Sequence, residues 1–316
     1  MIKIIRIIAV LLLPVLSLSA QSNYFEYYTY LANAQTCEAN KNYKEAYKLY
    51  RTALTKAYPF PSDYIATIKC CMKTNHKEDI PELIKSSILH GYKAEEYIYP
   101  FSYKDGTLHS YKYSNQFPIK RYRAYFKSIY AEERKNYLSN NRLTNSQYLN
   151  SIVTLEETIY KQRFMKIDST LLYKSYESIM YPAIIKLDSI NLNLTRNNTD
   201  NWSDLMFFVA LLHTGQAMIQ VDSAKFANYK HCLWNLVLAG NLHAAQYAVI
   251  IDAIYDQGIY GMQVEENILG KITRYAPIQH PEKVDSLRAN IYLAPLWVQS
   301  ILTGYKPPKG YKKTKK

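Results

Sequence analysis

Apolar positions recur along this chain with the period of a helix rather than that of a strand. Between about Gln147 and Lys166, the residues Tyr148, Ile152, Leu155, Ile159 and Phe164 fall on one stripe, which predicts a long amphipathic helix. The same reading predicts helices over Ile119–Leu138, Leu171–Leu187, Trp202–Ile219, Ala224–Ala239 and Leu242–Tyr255. Polar stretches, Ser139–Ser146 and Asn193–Asn201, separate them as loops, and Tyr97–Asn115, with Pro100 and Asp105-Gly106, reads as a connector. Alternation of period two is nowhere sustained, so the pattern defines an all-α chain.

Two N-terminal stretches, Tyr30–Tyr58 and Tyr64–Tyr92, repeat each other at an offset of about 34 residues, the period of helix–turn–helix arrays. Tyr30 answers Tyr64, Ala32 answers Ala66, Cys37 answers Cys71 and Leu49 answers Leu83. In Asn42–Leu54 the small residues Ala46 and Ala53 sit two turns apart, where they let paired helices approach, with Leu49 and Tyr50 filling the seam. Pro59 and Pro61 stop this helix. These residues resemble a tetratricopeptide repeat, over about 24–92, with a regular first unit. The second unit departs, carrying Ile80 and Ser87 at the alanine positions and Pro81 near a helix start, where proline is tolerated; Asn33 departs within the first. The resemblance implies a short α-solenoid, and two units need a cap to bury their faces.

The first residues carry a targeting pattern. Lys3 and Arg6 precede the apolar run Ile7–Leu16, followed by the small-residue stretch Ser17–Ala20. That is a signal peptide over residues 1–20, cut after Ala20 or after Ser19. The run is short of the roughly 20 apolar residues that span a bilayer, and Leu205–Leu212 is shorter still. The expectation is an exported, soluble protein, periplasmic or extracellular, organised as 21–95 repeats, 96–146 connector and linking helix, 147–302 C-terminal helical domain and 303–316 basic disordered tail.

The formal charge of +13 falls by two once Lys3 and Arg6 are removed. Much of the remainder sits at the end, where Lys309, Lys312, Lys313, Lys315 and Lys316 would attract an anionic surface. Lys104–Lys135 interleaves basic residues with Tyr111, Tyr113, Tyr122, Tyr125 and Tyr130, a composition that suits nucleic acid. In an exported protein the simpler reading is an amphipathic helix with its aromatic residues inward, so no nucleic-acid partner is expected. The 32 tyrosines exceed Phe and Trp together, and Tyr suits a helix-lined groove because its hydroxyl stays wet. Tyr30 and Tyr64 are the candidate partner-binding positions.

The four cysteines permit disulfides in an oxidising compartment, and Cys37 with Cys71, at equivalent repeat positions, is the pair to consider. The simpler alternative is that all four are small buried hydrophobes. His213, His231, His243 and His280 are scattered without metal-binding spacing, and Gly-rich phosphate loops and nucleophile elbows are absent, so no metal and no cofactor is expected.

The densest local signal lies further on. His213 closes the apolar stretch Phe207–Leu212, then come Tyr260-Gly261-Met262-Gln263 and Pro277–Arg288, which contains Val284, Asp285 and Arg288. Together these resemble an uncharacterised bacterial helical domain marked by a histidine at a helix end, a Tyr-Gly-x-Gln segment and a Pro-Ile-x-x-Pro-x-x-Val-Asp-x-x-Arg segment. The resemblance implies His213, Asp252, Tyr260, Gly261, Gln263, Asp285 and Arg288 as candidate positions. This chain departs from it at Ala253, where arginine is usual, at Lys161, where an acidic residue is usual, and in a shorter Asp252–Tyr260 loop. His213 with Asp252 would make an oriented base, with Gln263 and Tyr260 donating to a substrate oxygen. The plainer alternatives are a capping or buried histidine, a helix-surface ion pair between Asp285 and Arg288, and a turn that needs Gly261. The expected function is a protein or peptide interaction module of the cell envelope; the alternative is an enzyme centred on His213 and Gln263.

Overall fold

The computed structural model describes residues 23–92, 102–104, 107–109, 117–140, 146–164, 168–189, 201–255, 258–266 and 272–313. The expected leader, most of the connector, the 190–200 stretch, Lys315 and Lys316 lie outside them.

The fold is all-α. Its helices are α1 (residues 23–39), α2 (Tyr43–Lys56), α3 (Pro61–Cys71), α4 (Ile80–Leu89), α5 (Arg123–Asn140) and α6 (Ser146–Phe164). There follow α7 (Ser169–Ser175), α8 (Tyr181–Ser189), α9 (Asn201–Val221), α10 (Ser223–Leu238), α11 (Ala244–Ile254), α12 (Val284–Asn290) and α13 (Leu296–Thr303). Among the described residues, the named strands make two short antiparallel pairs: β1 (Ser102–Lys104) with β2 (Thr107–His109), and β3 (Val264–Glu266) with β4 (Ile272–Tyr275). No described helix is long and apolar enough to cross a membrane.

Two compact units divide the chain elsewhere than the sequence-level segments do. One, the split unit, comprises the described residues of Met1–Pro59 and Leu233–Lys316; the other, the continuous unit, comprises those of Phe60–Cys232. Tyr30–Tyr58 therefore belongs to the split unit and Tyr64–Tyr92 to the continuous one.

In the split unit, α1 and α2 form the expected helical pair. Ala46 and Ala53 are fully buried, as a close seam requires, and Tyr50 donates its hydroxyl to Glu38 Oε2 at 2.7 Å. Asn33 faces solvent, which is why a polar residue is tolerated there. The pair is covered by C-terminal residues: Tyr28 donates to the Leu242 carbonyl at 3.3 Å, and Ala39 packs with Ala294 and Val298. Helix α11 begins at a capping box in which His243 Nδ1 accepts from Ala245 N at 3.0 Å, while Gln246 accepts from the His243 N–H. A small core of Tyr275, Ile278, Val284 and Leu296 holds β4, α12 and α13 together.

The segment read as a disordered tail is instead tied down through Lys313. Tyr275 N donates to Lys306 O at 2.9 Å and Lys306 N to Thr273 O at 3.1 Å. Tyr311 packs on the small core, and Lys313 Nζ lies 3.8 Å above the Trp297 ring. Lys309 and Lys312 remain exposed. Lysine-rich composition concealed the apolar bodies of Tyr305, Pro308 and Tyr311, which supply the packing.

In the continuous unit, α3, α4 and α5 pack in sequence. Pro61 and Pro81 each occupy a first-turn position, where no intrahelical N–H bond is lost. Ile80 and Ser87, the residues replacing the seam alanines, are fully buried, and Ser87 satisfies its hydroxyl on the Ile84 carbonyl at 2.7 Å. On α5, Phe126 and Tyr137 face inward while Lys127 and Lys135 face solvent; Tyr125 stays exposed, so the aromatic residues are not all inward. Tyr64, expected on a binding face, is buried with its hydroxyl 3.2 Å from His90 Nδ1. Tyr30 is half-buried beneath Lys56 Nζ, 5.4 Å from its ring centre.

The cysteine pairing considered above is not formed. Cys37 and Cys71 are both thiols and belong to different units. Cys70, Cys71 and Cys232 are buried, and Cys71 donates to the His76 carbonyl at 2.8 Å, so these behave as small core residues.

Candidate functional site

The residues implied by the C-terminal resemblance separate into two groups. Asp252, Tyr260, Gly261, Gln263, Asp285 and Arg288 lie in the split unit, and His213 lies in the continuous one.

Asp252, on α11, is fully buried. Its Oδ1 accepts from Ile259 N and Tyr260 N at 2.7 Å each, and its Oδ2 accepts from Met262 N at 2.6 Å. Gln263 turns back and donates from Nε2 to the Asp252 carbonyl. Gly258 presses on the same carboxylate: a Cβ there would meet Oδ2 at 3.1 Å. Burial pushes the Asp252 carboxyl up, while the three N–H donors and Arg288 pull it back. Gly261 takes a φ of +68°, and a Cβ on it would meet Leu296 Cδ2 at 3.1 Å, so this turn needs glycine for both reasons.

Arg288 and Asp285 are not a surface ion pair. Arg288 is 1% exposed and donates from Nε to Ala294 O at 2.6 Å and from Nη1 to Tyr260 O at 2.8 Å. Burial pulls its guanidinium down to about 10, with Tyr275, Asp285, Asp252 and Tyr311 holding it up. Asp285 Oδ1 accepts from Leu296 N at 2.7 Å at the start of α13, and Oδ2 accepts from the Tyr311 hydroxyl at 2.9 Å. The charged groups of this half thus answer backbone N–H and C=O groups of irregular segments that helices do not satisfy. Their arrangement is a polar scaffold.

His213 stands in different company. Its Nδ1 is 2.7 Å from Oε1 of Glu156 on α6, and Tyr176 donates its hydroxyl to the same oxygen at 3.0 Å. Tyr176 opens a π turn, Tyr176–Met180, that joins α7 to α8 in one continuous helix. Glu156 is 0% exposed, and its Oε2 is buried without a hydrogen-bond partner. The His213 side chain retains 16% exposure, so the cluster runs from a sealed carboxylate to an imidazole that solvent reaches. Nδ1 and the carboxylate oxygen share this hydrogen bond, the imidazole donating in the tautomer that carries its proton on Nδ1.

The stripe reading passed over Glu156. Ile152, Glu156 and Ile159 lie on one helical face, and Ile152 and Ile159 are both buried. A carboxylate on an otherwise apolar stripe is the sequence signal that was available. Among the described residues, no group of three or more His, Cys, Asp or Glu side chains is placed to hold a metal ion.

A scan against protein-family models gave no match, and neither the curated proteins nor the solved structures gave one. The two resemblances therefore stand on their residues alone.

Proposed function

We propose that this chain is an exported helical protein of the cell envelope that binds a protein or peptide partner. The observation that carries this reading is what Asp252, Gln263 and Arg288 do with their polar atoms: all three satisfy backbone groups, so the densest motif of the chain supports a fold. Gln263, the second member of the rival His213–Gln263 enzyme, is engaged on the Asp252 carbonyl. The leader-like N-terminus, the basic balance and the tetratricopeptide-like α1–α2 pair support the compartment and the mode of binding. Tyr30 is the position kept for a contact, because Tyr64 is buried.

The test is a photo-crosslinking residue placed at Tyr30 in the exported chain. A discrete crosslinked protein from the envelope fraction, lost when the label is moved to buried Tyr64, supports the reading. A chain recovered only as uncrosslinked monomer, or only from the cytoplasm, overturns it.

A further inference from the structure

We propose that Glu156 and His213 form a general acid–base dyad, with Tyr176 as its positioning hydroxyl. The proposal is independent of partner binding, because it rests on different residues in the continuous unit.

The geometry argues for chemistry in three ways. A carboxylate at hydrogen-bond distance from Nδ1 fixes the ring's tautomer and orientation and stabilises the imidazolium that forms when the ring takes a proton. The carboxylate is oriented in turn by the Tyr176 hydroxyl on the same oxygen, so the chain base, orienter, support is complete in one cluster. The third point is the direction of the carboxylate. Glu156 is fully buried and its hydrogen bonds to His213 and Tyr176 both run through Oε1. A π turn places Tyr176, and π turns are frequent at functional sites.

The chemistry assigned is removal of a proton from an oxygen, that of water or of a substrate hydroxyl. The O–H bond breaks, its electron pair stays on oxygen as the nucleophile, and the proton passes to the imidazole, whose positive charge Glu156 balances. The substrate class is therefore one whose reaction begins with an activated water or alcohol. The step needs no redox partner or metal.

The experiment is the rate at which diethylpyrocarbonate modifies each histidine of the full chain, read by peptide mass spectrometry, together with thermal stability. Exposed His76 and His280 serve as internal references. In Glu156→Gln the dyad predicts that His213 slows on the order of tenfold or more relative to them, because an amide no longer fixes the reactive tautomer. Removing one partner of a buried pair lowers the melting temperature, and a cooperative transition shows that the variant still folds, so that its His213 rate reports the dyad. An unchanged His213 rate overturns the proposal, as does a faster His213, the signature of a purely structural tie. Should Glu156→Gln fail to fold, Tyr176→Phe keeps the carboxylate and predicts a smaller slowing of His213, with an unchanged rate again overturning the dyad.

Discussion

Tyr311 donates its hydroxyl to Asp285 Oδ2 at 2.9 Å and at the same time accepts from Trp297 N at 3.0 Å. One phenol thus answers both an N–H in the first turn of α13 and the second oxygen of the aspartate that caps it. Tyr311→Phe removes both bonds while keeping the ring. We expect a loss of about 1–2 kcal/mol in urea unfolding and faster proteolysis between Tyr305 and Lys313; unchanged cleavage would show that the segment is held by packing alone.

The same residue sets an alkaline limit. Burial, then the bond to Asp285, raises the Tyr311 phenol above its ordinary value of 10, with the Trp297 N–H and Arg288 acting the other way. A raised folded value means that the contribution is complete below about pH 10 and is lost as pH climbs through the folded value. Stability of the wild type should fall on that limb more steeply than that of Tyr311→Phe. Parallel curves would place the alkaline loss in other groups.

Arg288 is buried and answers two backbone carbonyls, so its loss should be costly. Arg288→Met leaves the carbonyls of Ala294 and Tyr260 without their donor and Asp252 without its nearby cation, with an expected cost of about 3–5 kcal/mol. Arg288→Lys should recover little of it, because one ammonium cannot reach both carbonyls with fork geometry. Equilibrium unfolding of the pair separates the outcomes: full rescue by lysine would mean that charge alone matters.

Helix α11 offers a smaller and cleaner test. His243→Ala removes the Nδ1 acceptor of the Ala245 N–H and should cost about 1 kcal/mol, whereas His243→Asn, a stronger N-cap residue, should restore it. The measurement is again urea unfolding, and equal losses in both variants would assign the effect to the packing of His243 on Tyr28, whose rings lie 5.5 Å apart.

All four cysteines should titrate as thiols in denaturant without added reductant. In the native state Cys37 is the one only half-buried, and it should react slowly, because burial and then Glu45 push its thiol up and keep the thiolate scarce. A count of two thiols in denaturant would reinstate a disulfide.

Helical period carried most of the fold. The spans read as Trp202–Ile219 and Ala224–Ala239 are α9 at Asn201–Val221 and α10 at Ser223–Leu238, because long apolar repeats leave little choice of conformation. What the pattern missed is short or non-local. Val264–Glu266 is three residues long, too few for alternation to register. Nothing near Arg288 in sequence announces that its guanidinium reaches a carbonyl 28 residues away, so a helix-surface pair with Asp285 was the natural local reading. His213 was visible as a candidate, but its partner was not. Glu156 is 57 residues upstream and was hidden inside an apolar stripe.

The bond between Tyr28 and the Leu242 carbonyl spans 214 residues of chain. Because the split unit is assembled from both sides of Phe60–Cys232, α1 and α2 leave the ribosome long before the surface that covers them exists. Tyr28, 1% exposed in the finished fold and packed against His243 and Tyr292, must wait uncovered while the intervening residues are synthesised. The continuous unit has no such delay and is free to fold first. Helices α1 and α2 are therefore open to aggregation and proteolysis during synthesis, and a chaperone that shields this stretch would act on a hazard set by the order of translation.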